Sequence, residues 1–138
     1  MDIDPIDAFL NGKTKVLLAT CFQNERPLQG LAGRVDWKFG GEISNYLRKG
    51  VISGQEGECT YIPLRKNGQL YNLILLGCGL ATIPGSRTDR MNVDVKGLKN
   101  NLKSLKLSPI AISRSDCDTN LIEILSKELK GSDLWIVQ

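Results

Sequence analysis

The chain alternates short, unbroken apolar runs with longer stretches in which apolar residues return every third or fourth position. Lys15–Thr20 (KVLLAT) is the first run and has the length of a buried strand. Residues 1–14 stand ahead of it as an N-terminal extension. Asn24 to Pro27 reads as a loop, because Pro27 lacks the N–H that a continued ladder needs. From Leu28 to Lys49 the apolar positions Leu31, Val35, Phe39, Ile43 and Leu47 form a helical stripe. Gly40 and Gly41 interrupt it at a cost of about 1 kcal/mol each inside a helix. Two helices are therefore expected, the second running from that pair to Lys49, with Gly50 as its C-terminal cap.

Cys59–Arg65 and Leu70–Gly77 are apolar runs on either side of Asn67-Gly68, a dipeptide that tolerates positive φ and so signals a tight hairpin. Leu73–Leu76 is apolar without a break, as in a central strand covered on both faces. Helix returns over Asn92–Lys106, with Met91, Val95, Leu98, Leu102 and Leu105 on one side. Pro109–Ser113 is another strand. Asp118 or Thr119 can cap a helix through Lys130, where Leu121, Leu125 and Leu129 make the stripe and Gly131 ends it. Leu134–Val137 (LWIV) is a last buried strand. Strand, helix, hairpin, helix, strand, helix, strand predicts an α/β fold: one domain over residues 1–138, with a mixed, largely parallel sheet and helices on both faces.

Composition narrows the chemistry more than the fold. There is no histidine, which removes Ser-His-Asp and Cys-His nucleophile pairs, histidine zinc sites and imidazole acid–base catalysis together. Cys21, Cys59, Cys78 and Cys117 are scattered, without the close pairs of a zinc or redox site, and read as the reduced thiols of a cytosolic protein. Met1–Asp7 carries three aspartates and no apolar core, so no signal peptide is expected, and no run approaches the roughly 20 apolar residues of a membrane span. A net charge of +3 falls short of a dedicated nucleic-acid binder. No metal, cofactor or catalytic constellation is expected.

Three features remain as candidate ligand contacts. Gly77-Cys78-Gly79 follows a buried strand, where glycine lets a backbone approach a ligand, although it is not a full dinucleotide fingerprint. Gly40 and Gly41 precede a helix start that offers N–H groups to an anion. Arg87, Arg90, Lys96 and Lys99, continued by Lys103 and Lys106, form a basic flank that could meet phosphates, although it lies opposite the apolar face, where lysines are expected simply for solubility. Cys78 is expected on an exposed turn, but has no histidine to serve it as base. Trp37 and Trp135 are expected in the core.

The segments PLQGLAGRVDWKFGGEISNYLRKG (27–50), GEC (57–59) leading into TYIPL, and LILLGCG (73–79) resemble the N-terminal domain of the leucyl aminopeptidase (M17) family. The resemblance runs from about Lys15 to Val137 and implies a macro-domain-like fold. In that family the metals and catalytic residues belong to a separate, larger C-terminal domain, so it implies no peptidase activity here. Macro domains proper bind ADP-ribose. Gly40–Gly41 is similar to their glycine-rich helix start and Gly77–Gly79 to their phosphate loop, but residues 20–30 (TCFQNERPLQG) lack the Asn-Ala-Ala-Asn type of segment. Three readings follow: a non-catalytic domain acting in protein association or regulation, alone or as a homo-oligomer; a macro-type binder of a nucleotide or related anion; and weak nucleic-acid association.

Overall fold

The turn at Asn67 and Gly68 has φ of 52° and 78°, the paired positive values a two-residue hairpin needs to match strand twist. It joins β2 (Cys59–Lys66) to β3 (Gln69–Gly77) in antiparallel register, Lys66 opposite Gln69 and Cys59 opposite Leu76. The structure, a computed structural model, describes residues 4–83, 91, 93–106, 108–130 and 133–137. The other described elements are α1 (Pro5–Leu10), β1 (Val16–Cys21), α2 (Gly30–Lys38), α3 (Glu42–Arg48), α4 (Val95–Leu105), β4 (Ile110–Ser113), α5 (Thr119–Glu128) and β5 (Leu134–Val137). The fold is α/β, with a five-stranded sheet in the order β2-β3-β1-β4-β5. All neighbours are parallel except the hairpin pair.

Strand alternation divides the apolar residues of β1 between two cores. Val16 and Leu18 face α4 and α5 and pack with Ile74, Leu76, Leu98, Leu102, Leu121 and Leu125. Leu17, Ala19 and Cys21 face α1, α2 and α3 and pack with Phe9, Leu31, Val35, Ile43 and Leu73. Every residue of β1 is buried, as a central strand covered on both sides requires. The extension ahead of β1 contributes α1 to the second core: Ile6 and Phe9 are buried, and Phe9 meets Phe39 and Tyr71 edge to face or tilted.

Helix boundaries follow local chemistry. The α2–α3 break falls at Gly40 and Gly41, with φ of 72° and 83°. Asp94 accepts from the Gly97 N–H at the start of α4, and Asp118 from the Leu121 N–H at the start of α5. The fourth helix starts at Val95 and the fifth stops at Glu128, slightly inside the expected limits. Gly131, the expected stop, lies outside the described residues. Three expectations need correction. Leu134–Val137, expected as a buried strand with Trp135 in the core, is only half-buried along its length, because β5 is the outermost strand and has a neighbour on one side alone. Trp37 is 82% exposed, because it lies two positions past the buried Val35 and therefore on the far side of α2. Cys78 is buried, since the 54–58 segment packs over its turn. Among the described residues no helix is long and apolar enough to cross a membrane.

Candidate functional site

In a parallel α/β sheet a crevice opens where neighbouring strands send their following chain to opposite faces. Here β1 leads to α2 on one face, while β3 leads to α4 and β4 to α5 on the other. The carboxyl end of β1 thus borders two such crevices, one with β3 and one with β4. Both are closed by the chain's own hydrogen bonds.

Between β1 and β4 stands Asp116, 1% exposed. Its Oδ2 accepts from the Thr20 N–H at 2.7 Å and its Oδ1 from the Leu31 N–H at 3.2 Å, while the Thr20 hydroxyl donates to the Asp116 carbonyl at 2.7 Å. The carboxylate therefore takes the anion's place at the first turn of α2, where backbone N–H groups lack partners within the helix. Between β1 and β3 the closure is by main chain. The Cys78 N–H donates to the Cys21 carbonyl and the Gln23 N–H to the Gly79 carbonyl, while on the β2 side Gly77 donates to Glu58 and Gly79 to Gly54. Asn24 exchanges two hydrogen bonds with Ala81, Nδ2 to its carbonyl at 2.7 Å and Oδ1 from its N–H at 2.8 Å.

The same substitution of carboxylate for ligand recurs twice. Asp36 Oδ1 accepts from the Ile43 and Ser44 N–H groups at 2.8 and 3.0 Å, filling the start of α3 that Gly40 and Gly41 make available. Glu58 accepts from the N–H groups of Ser53 and Gly54 and from the Ser53 hydroxyl. Burial pushes the Glu58 carboxyl up, but the Gly54 and Ser53 hydrogen bonds and the Arg26 charge outweigh it and hold the group below its ordinary 4.5.

The expected contacts do not converge. Gly77, Cys78 and Gly79 line the closed crevice at the end of β3. Gly40 and Gly41 instead border an open groove of about 540 Å³ on the α2–α3 surface, with Pro27, Leu28, Gly33, Asp36, Trp37 and Ser44. Lys96 and Lys99 line a third place, a 440 Å³ groove between α4 and α5 that also holds Glu128. Lys99 reaches Glu128 at 3.4 Å, so this basic flank carries its own counter-charge. Arg87 and Arg90 lie outside the described residues. Burial raises the pKa of the half-buried Cys59 thiol; the Asn101 hydrogen bond offsets part of this and the Asp94 charge adds a smaller rise, which keeps the group a thiol at neutral pH. Among the described residues no group of three or more Cys, Asp or Glu is placed to hold a metal ion.

The residues that shape the crevice were not among the sequence candidates. Asp116 is separated from Thr20 by 96 positions, and only the adjacency of β1 and β4 brings them together. Asp36 was available as an acidic residue shortly before a helix start.

Fold and crevice together define an α/β domain with a largely parallel sheet, in which the chain's own carboxylates hold backbone N–H groups at the starts of α2 and α3 and before β2. Among solved structures, a mutant of tomato leucine aminopeptidase is similar to it, with a TM-score of 0.58 over 99% of this chain at 14% sequence identity. The similarity spans 30% of that chain, and at this identity it is one of fold. No family model and no curated protein matches the chain.

Proposed function

We propose that the chain is a non-catalytic domain, related in fold to the N-terminal region of the M17 leucyl aminopeptidases, that works by associating with protein rather than by processing a small molecule. One observation carries this reading. Asp116, Asp36 and Glu58 already hold the backbone N–H groups that a phosphate or diphosphate would need. A nucleotide would have to displace a buried carboxylate and leave its charge without those partners, at a cost of several kcal/mol. The absence of histidine, which removes imidazole acid–base and nucleophile-pair chemistry from this sequence, supports the same reading.

Isothermal calorimetry with ADP-ribose, ADP and inorganic phosphate at millimolar ligand tests it, alongside an assay for release of leucine from leucine amide. The expected result is no heat of binding and no hydrolysis. Saturable binding of ADP-ribose would overturn the reading in favour of a macro-type binder, and hydrolysis by material free of contaminating peptidase would overturn its non-catalytic part.

A further inference from the structure

The two outer strands of the sheet are finished differently. β2 carries Pro63, which has no N–H to offer, and ends in Arg65 and Lys66, features that discourage pairing with another chain. β5 is Leu-Trp-Ile-Val, without proline or charge, and among the described residues it pairs with β4 alone.

The direction of its backbone groups follows from the ladder. The Ile110 N–H donates to the Asp133 carbonyl at 3.1 Å and the Arg114 N–H to the Val137 carbonyl at 2.8 Å. Residues of a strand alternate in which side they turn to a neighbour. Asp133, Trp135 and Val137 therefore face β4, and the N–H and C=O groups of Leu134 and Ile136 point out of the sheet. The side chains divide as well. Leu134 and Ile136 pack on the α4–α5 core, whereas Trp135 and Val137, paired with Ala111 and Ser113, belong to neither core cluster and are half-buried on the other face.

We infer that β5 pairs edge to edge with β5 of a second copy of this chain, antiparallel about a two-fold axis at Trp135, to give a continuous ten-stranded sheet. The inference rests on the association reading and names its partner. The pairing is self-complementary. With Trp135 opposite its symmetry mate, Leu134 of each copy stands opposite Ile136 of the other, and the two outward N–H and two outward C=O groups of each strand are all used in four hydrogen bonds. No charge lies within residues 134–137 to oppose its like across the axis. The two indoles meet as a cross-strand aromatic pair on the sheet face opposite Leu134 and Ile136.

Sedimentation equilibrium of the full chain from about 1 μM to about 1 mM, a span that brackets weak to moderate association, reads the outcome. The mass is expected to rise from the chain's 15.2 kDa toward twice that value. Trp135→Glu, which sets two carboxylates opposite each other, should remain monomeric with an unchanged far-ultraviolet circular dichroism spectrum. A wild-type chain monomeric throughout, or a dimer that survives Trp135→Glu, overturns the pairing. Should that variant lose its fold, Trp135→Cys in a Cys59→Ser background decides. Oxidised glutathione should link it into a covalent dimer, and should leave Arg65→Cys on the opposite edge unlinked. No link through position 135, or equal linking at both edges, overturns the pairing. A monomer that also ignores nucleotides removes this partner while the association reading stands. A chain that binds ADP-ribose removes that reading whatever its mass.

Discussion

A methyl group added to Gly40 or Gly41 meets nothing within 4 Å, whereas one added to Gly77 would overlap the Gln55 carbonyl oxygen and lie 2.8 Å from Cβ of Glu58. The first pair sits on an open surface beside the exposed Trp37, and what it supplies is positive φ between two helices. The second sits where the end of β3 is pressed against the 54–58 segment, and what it supplies is absence of volume. Glycine beside an element end looks the same along the chain in both places. The contrast teaches that glycine meets a different local demand at each turn: one answers to backbone conformation, the other to packing.

Substitutions separate the two regions by size of effect. Gly77→Ala should be the most damaging, losing about 3 kcal/mol of stability by overpacking, because backbone rather than a flexible side chain blocks the methyl group. Urea unfolding followed by circular dichroism would show it, and a loss below that of Gly41→Ala would break the comparison. Asp116→Ala comes next. It strands the Thr20 and Leu31 N–H groups in a closed crevice, at a cost of about 2 kcal/mol. Gly41→Ala should cost about 1 kcal/mol, the strain of a left-handed residue with a side chain, and Gly41→Asn less than that. The same unfolding experiment ranks all four.

The smallest effect is one of pH. The carboxyl of Glu58 is lowered in the folded chain, so its contribution is complete above the unfolded value near 4.5 and disappears as pH falls through the folded value. Glu58→Gln should therefore lower stability at pH 7 while flattening its decline between neutral pH and the acid side of 4.5. Unfolding curves taken across that range check the sign; a variant with the wild-type slope would mean that the hydrogen bonds at Ser53 and Gly54 do not hold a charged group.

Most elements were legible because their signals are local. Asn67-Gly68 between apolar runs specifies a turn with no reference to the rest of the chain, and Asp118 before the Leu121–Leu125 stripe specifies a helix start. Trp37 was misread although the pattern contained the answer: a step of two positions from Val35 is about 200° around a helix, away from the core. The burial of Cys78 was not legible, because it depends on a segment twenty or more positions earlier folding over it. The crevice was least legible of all. Its closure requires β4 to lie beside β1, and nothing in the residues around Asp116 announces Thr20 as a partner. The α/β class was readable from the order of elements, and the occupancy of its helix-start N–H groups by carboxylates only from their assembly.

The direct test of that occupancy is an amide proton–nitrogen spectrum of the full chain titrated with ADP-ribose and with inorganic phosphate. Signals of Leu31, Ile43, Ser44, Gly54, Gly77, Cys78 and Gly79 should hold their positions to millimolar ligand, because each of these N–H groups already has an acceptor within the chain. Saturable shifts confined to these amides would contradict the account.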